Sequence, residues 1–172
     1  MDDQTLTLKN RRDLYQYICK NPGMHLRAIE RAMKISLGDI RYHLEYLEKE
    51  GLITSQKDEY KRTYFSAEDI YHGDRETLAL LRQDSPRKIL LFLINHPSSH
   101  FEDIQQELKK SKSTISFHLN KLIKCNIIEV KTEDNKNEYS IIDIEQIIRL
   151  LITYRSSFID DTVDRVVEMW LR

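Results

Sequence analysis

The sequence predicts a mainly α chain with small β-hairpins: two tandem copies of one small fold, closed by a long C-terminal helix. Three observations carry this. The chain matches itself when slid by 75 residues. Each matching copy reads as three helices and a two-stranded hairpin. Residues 143–171 repeat apolar side chains at spacings of three and four, the period of a helix.

Self-similarity at a fixed offset marks a duplicated unit. Leu14 meets Ile89, Tyr17 meets Phe92, Pro22 meets Pro97 and His25 meets His100. Ile29 meets Ile104, and Met33 meets Leu108. The strongest stretch follows: Ser36, Ile40, Tyr42, His43, Leu44 and Leu47 meet Ser111, Ile115, Phe117, His118, Leu119 and Leu122. Mostly apolar positions agree while charged ones differ freely, as expected of two copies whose surfaces have diverged.

In copy one, Leu14, Tyr17 and Ile18 give a first helix over 8–20, ended by Pro22-Gly23. A second helix covers about 27–34. A third runs over 37–50, capped by Ser36 with Asp39 three residues on, and stops at Gly51. Leu52–Gln56 and Tyr60–Phe65 read as strands around the polar turn Lys57-Asp58-Glu59. In copy two the helices fall near 86–96, 101–109 and 112–125. Its strands fall near 127–132 and 137–141, around Glu133-Asp134-Asn135-Lys136. The chain thus divides into a first domain at 1–66, a helical linker at 67–85, a second domain at 86–141, and a C-terminal dimerisation helix at 142–172.

Two short helices joined by a tight turn form a helix-turn-helix, whose second helix enters the major groove of DNA. On both third helices one face is apolar: Ile40, Leu44 and Leu47, or Ile115, Leu119 and Leu122. The remaining residues are the candidate DNA contacts. In copy one these are Ser36, Gly38, Asp39, Arg41 and Tyr42; in copy two, Ser111, Lys112, Ser113, Thr114, Ser116, Phe117 and Lys121. Small and hydrogen-bonding residues at the helix start allow close approach to base edges. Lys57, Lys61 and Arg62 on one hairpin, and Lys131 and Lys136 on the other, are placed to meet phosphates. Tyr42 and Phe117 have two readings: contacts to thymine methyls or sugars, or rings half-buried between helices.

Residues 110–122, Lys-Ser-Lys-Ser-Thr-Ile-Ser-Phe-His-Leu-Asn-Lys-Leu, resemble the recognition helix of ArsR-like winged-helix repressors. Residues 22–53, from Pro22-Gly23-Met24-His25-Leu26-Arg27 to Glu50-Gly51-Leu52-Ile53, resemble archaeal regulators with two winged helix-turn-helix domains. So does the tail, Tyr154-Arg155-Ser156-Ser157-Phe158-Ile159-Asp160-Asp161-Thr162-Val163-Asp164-Arg165. The resemblance implies transcriptional regulation through double-stranded DNA, and names no effector. Metal-sensing repressors of the ArsR-like group carry a close cysteine pair or a His/Asp cluster. Cys19 and Cys125 stand far apart in sequence, so that site is not carried over.

Composition narrows the rest. The net charge of −1 hides an alternation: residues 1–65 and 86–140 each carry an excess of two positive charges, while 66–85 and 141–172 are acidic. That suits two nucleic-acid-facing units joined by segments that face elsewhere. The alternative is a tandem winged-helix protein-docking module, favoured in copy one by Asp39 and Glu45. No GxxxxGK[ST], HExxH, GxSxG or paired CxxC is present, which argues against an enzyme. No cofactor or metal is expected. No apolar run reaches the ~18–20 residues of a bilayer span, so the chain reads as cytoplasmic. The equivalent histidines, His43 with His118 and His25 with His100, read as structural groups or DNA-backbone contacts rather than metal ligands. A continuous helix from Asp143 to Leu171 measures ~43 Å at ~1.5 Å per residue. Its stripe of Ile147, Leu151, Phe158, Val163, Val166 and Trp170 is expected to hold a homodimer, with Ser156-Ser157 and Asp160-Asp161 as places where the helix can break.

Overall fold

The computed structural model describes residues 3–57, 61–67, 71, 73–133, 136–158 and 161–171. Asp58, Glu59, Asp134 and Asn135 of the hairpin tips, the expected strand start Tyr60, and Ile159 and Asp160 of the tail lie outside the described residues. Two compact units divide the chain, Met1–Arg75 and Glu76–Arg172.

Unit 1 runs α1 (Asp3–Lys20), β1 (Met24–His25), α2 (Leu26–Met33), α3 (Leu37–Lys49), β2 (Ile53–Lys57) and β3 (Arg62–Ser66). α1 starts five residues earlier than its apolar pattern indicates. β1 is a strand the sequence reading lacks. It pairs antiparallel with β3, Met24 opposite Tyr64 and His25 opposite Thr63, so the sheet order is β1-β3-β2. Leu14, Ile18, Ile29, Ile40, Leu44, Leu47, Ile53 and Tyr64 form the core.

α4 (Asp74–Leu81) straddles the division between the units. Unit 2 continues with α5 (Asp84–Asn95), β4 (Ser99–His100), α6 (Phe101–Leu108), α7 (Lys112–Lys124), β5 (Ile128–Glu133) and β6 (Lys136–Ile141). Its sheet order is β4-β6-β5, the same arrangement. Each of the eight core residues of unit 1 has its counterpart 75 positions on, and Ile89, Leu93, Ile104, Ile115, Leu119, Leu122, Ile128 and Tyr139 are all buried. The backbone repeats as well. The positive-φ residues fall in pairs at the same offset: Gly23 with Ser98, Lys34 with Lys109, and Gly51 with Asn126. Lys34 and Lys109 end the second helix of each copy in the left-handed conformation, turning the chain into the third.

The C-terminal segment is not one helix. α8 (Ile144–Thr153) is capped by Asp143, which accepts from the Gln146 amide at 2.8 Å. A 3₁₀ turn at Arg155–Ser157 follows, then α9 (Asp161–Trp170). Arg155 ties the turn to α9 through Asp164 at 2.6 Å and Glu168 at 2.9 Å. α9 packs on α8 and on α5, which explains why α5 is apolar nearly all round: Leu90, Leu91 and Ile94 are buried in addition to its core pair.

The apolar stripe of the tail is largely covered by this chain. Ile147, Leu151, Phe158, Val163 and Val166 are buried within unit 2 by this chain itself, and only Trp170, at 43% exposure, faces solvent. Within the 67–85 linker, α4 turns apolar side chains inward. Leu78, Leu80 and Leu81 are buried, and Arg82 donates to the Ser157 carbonyl at 3.0 Å while lying 4.4 Å over the Phe158 ring.

Candidate nucleic-acid interface

In copy two, the Ser111 hydroxyl caps α7. It accepts from the Thr114 amide at 3.2 Å and shares hydrogen bonds with the hydroxyls of Ser113 (3.0 Å) and Thr114 (2.8 Å). Of the hydroxyl residues named as DNA contacts, Ser111 and Thr114 therefore serve the cap first. With Ile115, Leu119 and Leu122 turned inward, Lys112, Ser113, Ser116, Phe117, Asn120 and Lys124 stand exposed, and Lys121 is half-buried. Residues 109–124 hold five lysines and no carboxylate. This face offers hydroxyl and amide groups that can pair with base edges, inside a rim of positive charge. On the hairpin, Lys136 is exposed at the start of β6, while Lys131 pairs with Glu129 at 3.1 Å.

The α3 face has the same shape and different chemistry. Ser36 caps it by accepting from the Asp39 amide at 3.1 Å and donates back to the Asp39 carboxylate at 2.8 Å. Gly38, Asp39, Arg41, Tyr42, Glu45, Tyr46 and Lys49 are exposed. Asp39 is thus engaged in the cap, near the positive end of the helix dipole, rather than presented to a phosphate. Arg62 is not a free hairpin cation: it reaches Glu48 of α3 at 3.2 Å and the Ser55 hydroxyl at 2.7 Å. Lys57 and Lys61 are exposed beside the hairpin turn.

Two residues of this site carry no sequence signal. Arg11 of α1 lays its guanidinium 3.6 Å from the centroid of the Tyr46 ring and 5.8 Å from that of Tyr42. Neither residue sits in a local motif; only the packing of α1 on α3 brings them together.

The rings of the paired aromatics are partly open to solvent, Tyr42 57% and Phe117 51% accessible. Each ring tilts against the histidine that follows it, 5.3 Å from His43 and 5.1 Å from His118 between centroids. His43 is buried, and the Nδ1 atoms of both histidines lack a hydrogen-bond partner among the described residues. Burial holds the His43 ring below its ordinary pKa; Arg11 adds to this and Asp39 opposes it. Burial does the same to His118, with Lys121 and Lys110 acting alongside. Both rings thus lie against their aromatic neighbours with burial disfavouring their charged form.

His25 caps α2 by accepting from the Ala28 amide through Nδ1 at 3.2 Å. Its pKa is lowered by burial, then by Lys61 and Arg31. His100 bonds the Asn137 carbonyl at 3.3 Å and lies 3.9 Å from Glu138. Among the described residues no group of three or more His, Cys, Asp or Glu side chains is placed to hold a metal ion. Cys19 and Cys125 are free and half-buried. No helix of the described residues is long and apolar enough to cross a membrane.

Comparison with known proteins matches both units. A family described as an N-terminal HTH domain matches residues 8–78. The bacterial regulatory protein, arsR family, matches residues 85–130. An uncharacterized HTH-type transcriptional regulator of Methanocaldococcus jannaschii is 31% identical over 142 residues, covering 82% of this chain. The chain spans about a third of that relative, 36% of its length. Among solved structures, HlyU from Vibrio cholerae N16961 aligns with 48% of this chain and 89% of its own, at 18% identity and a TM-score of 0.43. Two helix-turn-helix families are thus matched in tandem, one on each of the two copies of the three-helix fold with a hairpin, and the chain is similar over most of its length to an HTH-type transcriptional regulator.

Proposed function

We propose that this protein is a sequence-specific DNA-binding transcriptional regulator. It lays α7 and α3 in the major groove and sets the two hairpins, its wings, against the phosphate backbone. The observation that carries the reading is the outer face of α7. Ser113, Ser116 and Asn120 offer groups that pair with base edges, Phe117 offers an exposed ring for a thymine methyl, and the lysines around them attract phosphates. α7 supplies most of the backbone attraction. α3 supplies less, because Asp39, Glu45 and Glu48 offset Lys34, Arg41 and Lys49.

Selection of bound duplexes from a random DNA library by the full chain tests this. An enriched motif is expected, and its enrichment should collapse in Ser116→Asp and Asn120→Ala variants. Retention of no duplex at low salt would overturn the reading in favour of protein docking.

A further inference from the structure

Unit 1 holds a cleft of about 360 Å³ between the amino end of α2, the side of α3 and strand β3. That lies at the small end of the ~300–1,000 Å³ range of small-molecule sites. Its charged lining is Arg27, Arg41, Lys61 and Arg62 against Glu45 and Glu48, over a floor that includes Leu44 and Tyr64. Two of the cations are already occupied, Arg27 by Glu30 at 2.9 Å and Arg62 by Glu48 at 3.2 Å. Arg41 and Lys61 have no ion-pair partner among the described residues. The cleft therefore presents two cations outside any ion pair, in a lining of four cations and two carboxylates that still have acceptor capacity.

The second copy shows that the fold does not need this set. It keeps all eight core positions, yet Glu102, Ser116, Asn137, Asn120 and Ile123 stand where Arg27, Arg41, Arg62, Glu45 and Glu48 stand in the first. Only Lys136 retains the charge of Lys61. The charged cleft is particular to copy one.

We propose that this cleft is an effector site for a small phosphate monoester that also carries hydroxyl groups. The phosphate sits between Arg41 and Lys61, and the hydroxyls donate to Glu45 and Glu48. A duplex backbone fits the lining less well. It brings one negative charge per ~1.7 Å of axis and no donor for the two carboxylates, whereas a hydroxylated monoester satisfies both signs. The regulatory consequence rests on the DNA-binding reading above. Arg41 and Lys61 are also candidate backbone contacts, so a monoester that occupies them weakens duplex binding, and duplex weakens monoester binding by the same factor.

Calorimetric titration of the full chain with ribose 5-phosphate and with inorganic phosphate tests the site, alongside fluorescence anisotropy on a duplex. Saturable binding of ribose 5-phosphate is expected, weakened at least tenfold in Arg41→Ala/Lys61→Ala. Glu45→Gln should weaken ribose 5-phosphate and leave inorganic phosphate unchanged. No saturable binding of either probe, or equal binding by the wild type and the double variant, overturns the proposal. If neither probe binds while the double variant loses duplex affinity, the anion held there is the DNA backbone: the effector proposal fails and the DNA reading stands. If ribose 5-phosphate binds as expected and no duplex binds, the site stands and the DNA reading fails.

Discussion

Arg62 of β3 reaches back to Glu48 of α3, Nη2 to Oε1 at 3.2 Å, so one ion pair joins the hairpin of the first copy to its third helix. The second copy has Asn137 and Ile123 at these places and cannot form the pair. Both side chains remain partly exposed, which limits such a pair to about 0–1 kcal/mol. Glu48→Gln should therefore shift stability by less than about 1 kcal/mol in a denaturant melt. It also frees one cation, and should steepen the salt dependence of duplex binding by up to ~0.9. An unchanged slope would show that Arg62 does not face the backbone.

The left-handed residues after the helices give a stability test. Gly51 has φ 69°, and a Cβ built there meets nothing within 4 Å. Any loss in Gly51→Ala is then conformational, about 1–2 kcal/mol. Lys109 has φ 51° with a side chain, and Lys109→Gly should gain up to ~1 kcal/mol from relief of the same conformation. Urea unfolding of both variants checks the opposite signs.

His43, His118 and His25 all have folded pKa values below the ordinary 6.5. The unfolded chain then binds more protons as pH falls through about 6.5, and stability declines on the acid side of that value until the folded rings protonate too. The window lies above the carboxylate range, where Asp84 is itself held low although its burial opposes this, through Lys88, Lys110 and Arg87. Thermal melts should give a lower Tm at pH 5.5 than at 7.5. His43→Gln should reduce that difference; an undiminished difference would place its origin in other groups.

Leu151 is fully buried within unit 2. Leu151→Ala should therefore cost about 2–5 kcal/mol and leave the mass by light scattering unchanged. A variant that keeps its stability and halves its mass would identify the tail stripe as a subunit contact.

These outcomes separate what the sequence makes legible from what it does not. The repeat is legible because core positions answer to one fold and tolerate only apolar side chains, so Leu14 and Ile89 still agree where the surfaces do not. The Ser36 and Ser111 caps are legible because capping is local chemistry. β1 and β4 are not, since two residues are too few to show alternation. The tail stripe is visible, but its partner is not: an apolar face covered by its own chain and one covered by a second subunit have the same spacing. Ser156-Ser157 marks a place for the break, yet apolar positions resume in register beyond it, so spacing alone does not choose between one helix and two. The Arg11–Tyr46 stack and the Arg62–Glu48 pair are tertiary, between elements whose approach no local pattern encodes.

α7 is proposed as the principal DNA-binding element. This is tested most directly by fluorescence anisotropy on one duplex across a salt series, comparing the wild type with Lys112→Ala/Lys124→Ala and Arg41→Ala/Lys49→Ala. Each phosphate contact contributes ~0.9 to the slope of log affinity against log salt. The α7 pair lies in a stretch with no carboxylate, whereas Asp39, Glu45 and Glu48 surround the α3 pair. The α7 variant should flatten the slope by up to about two and the α3 variant by clearly less. Equal flattening, or no salt-dependent binding by the wild type, would contradict that role.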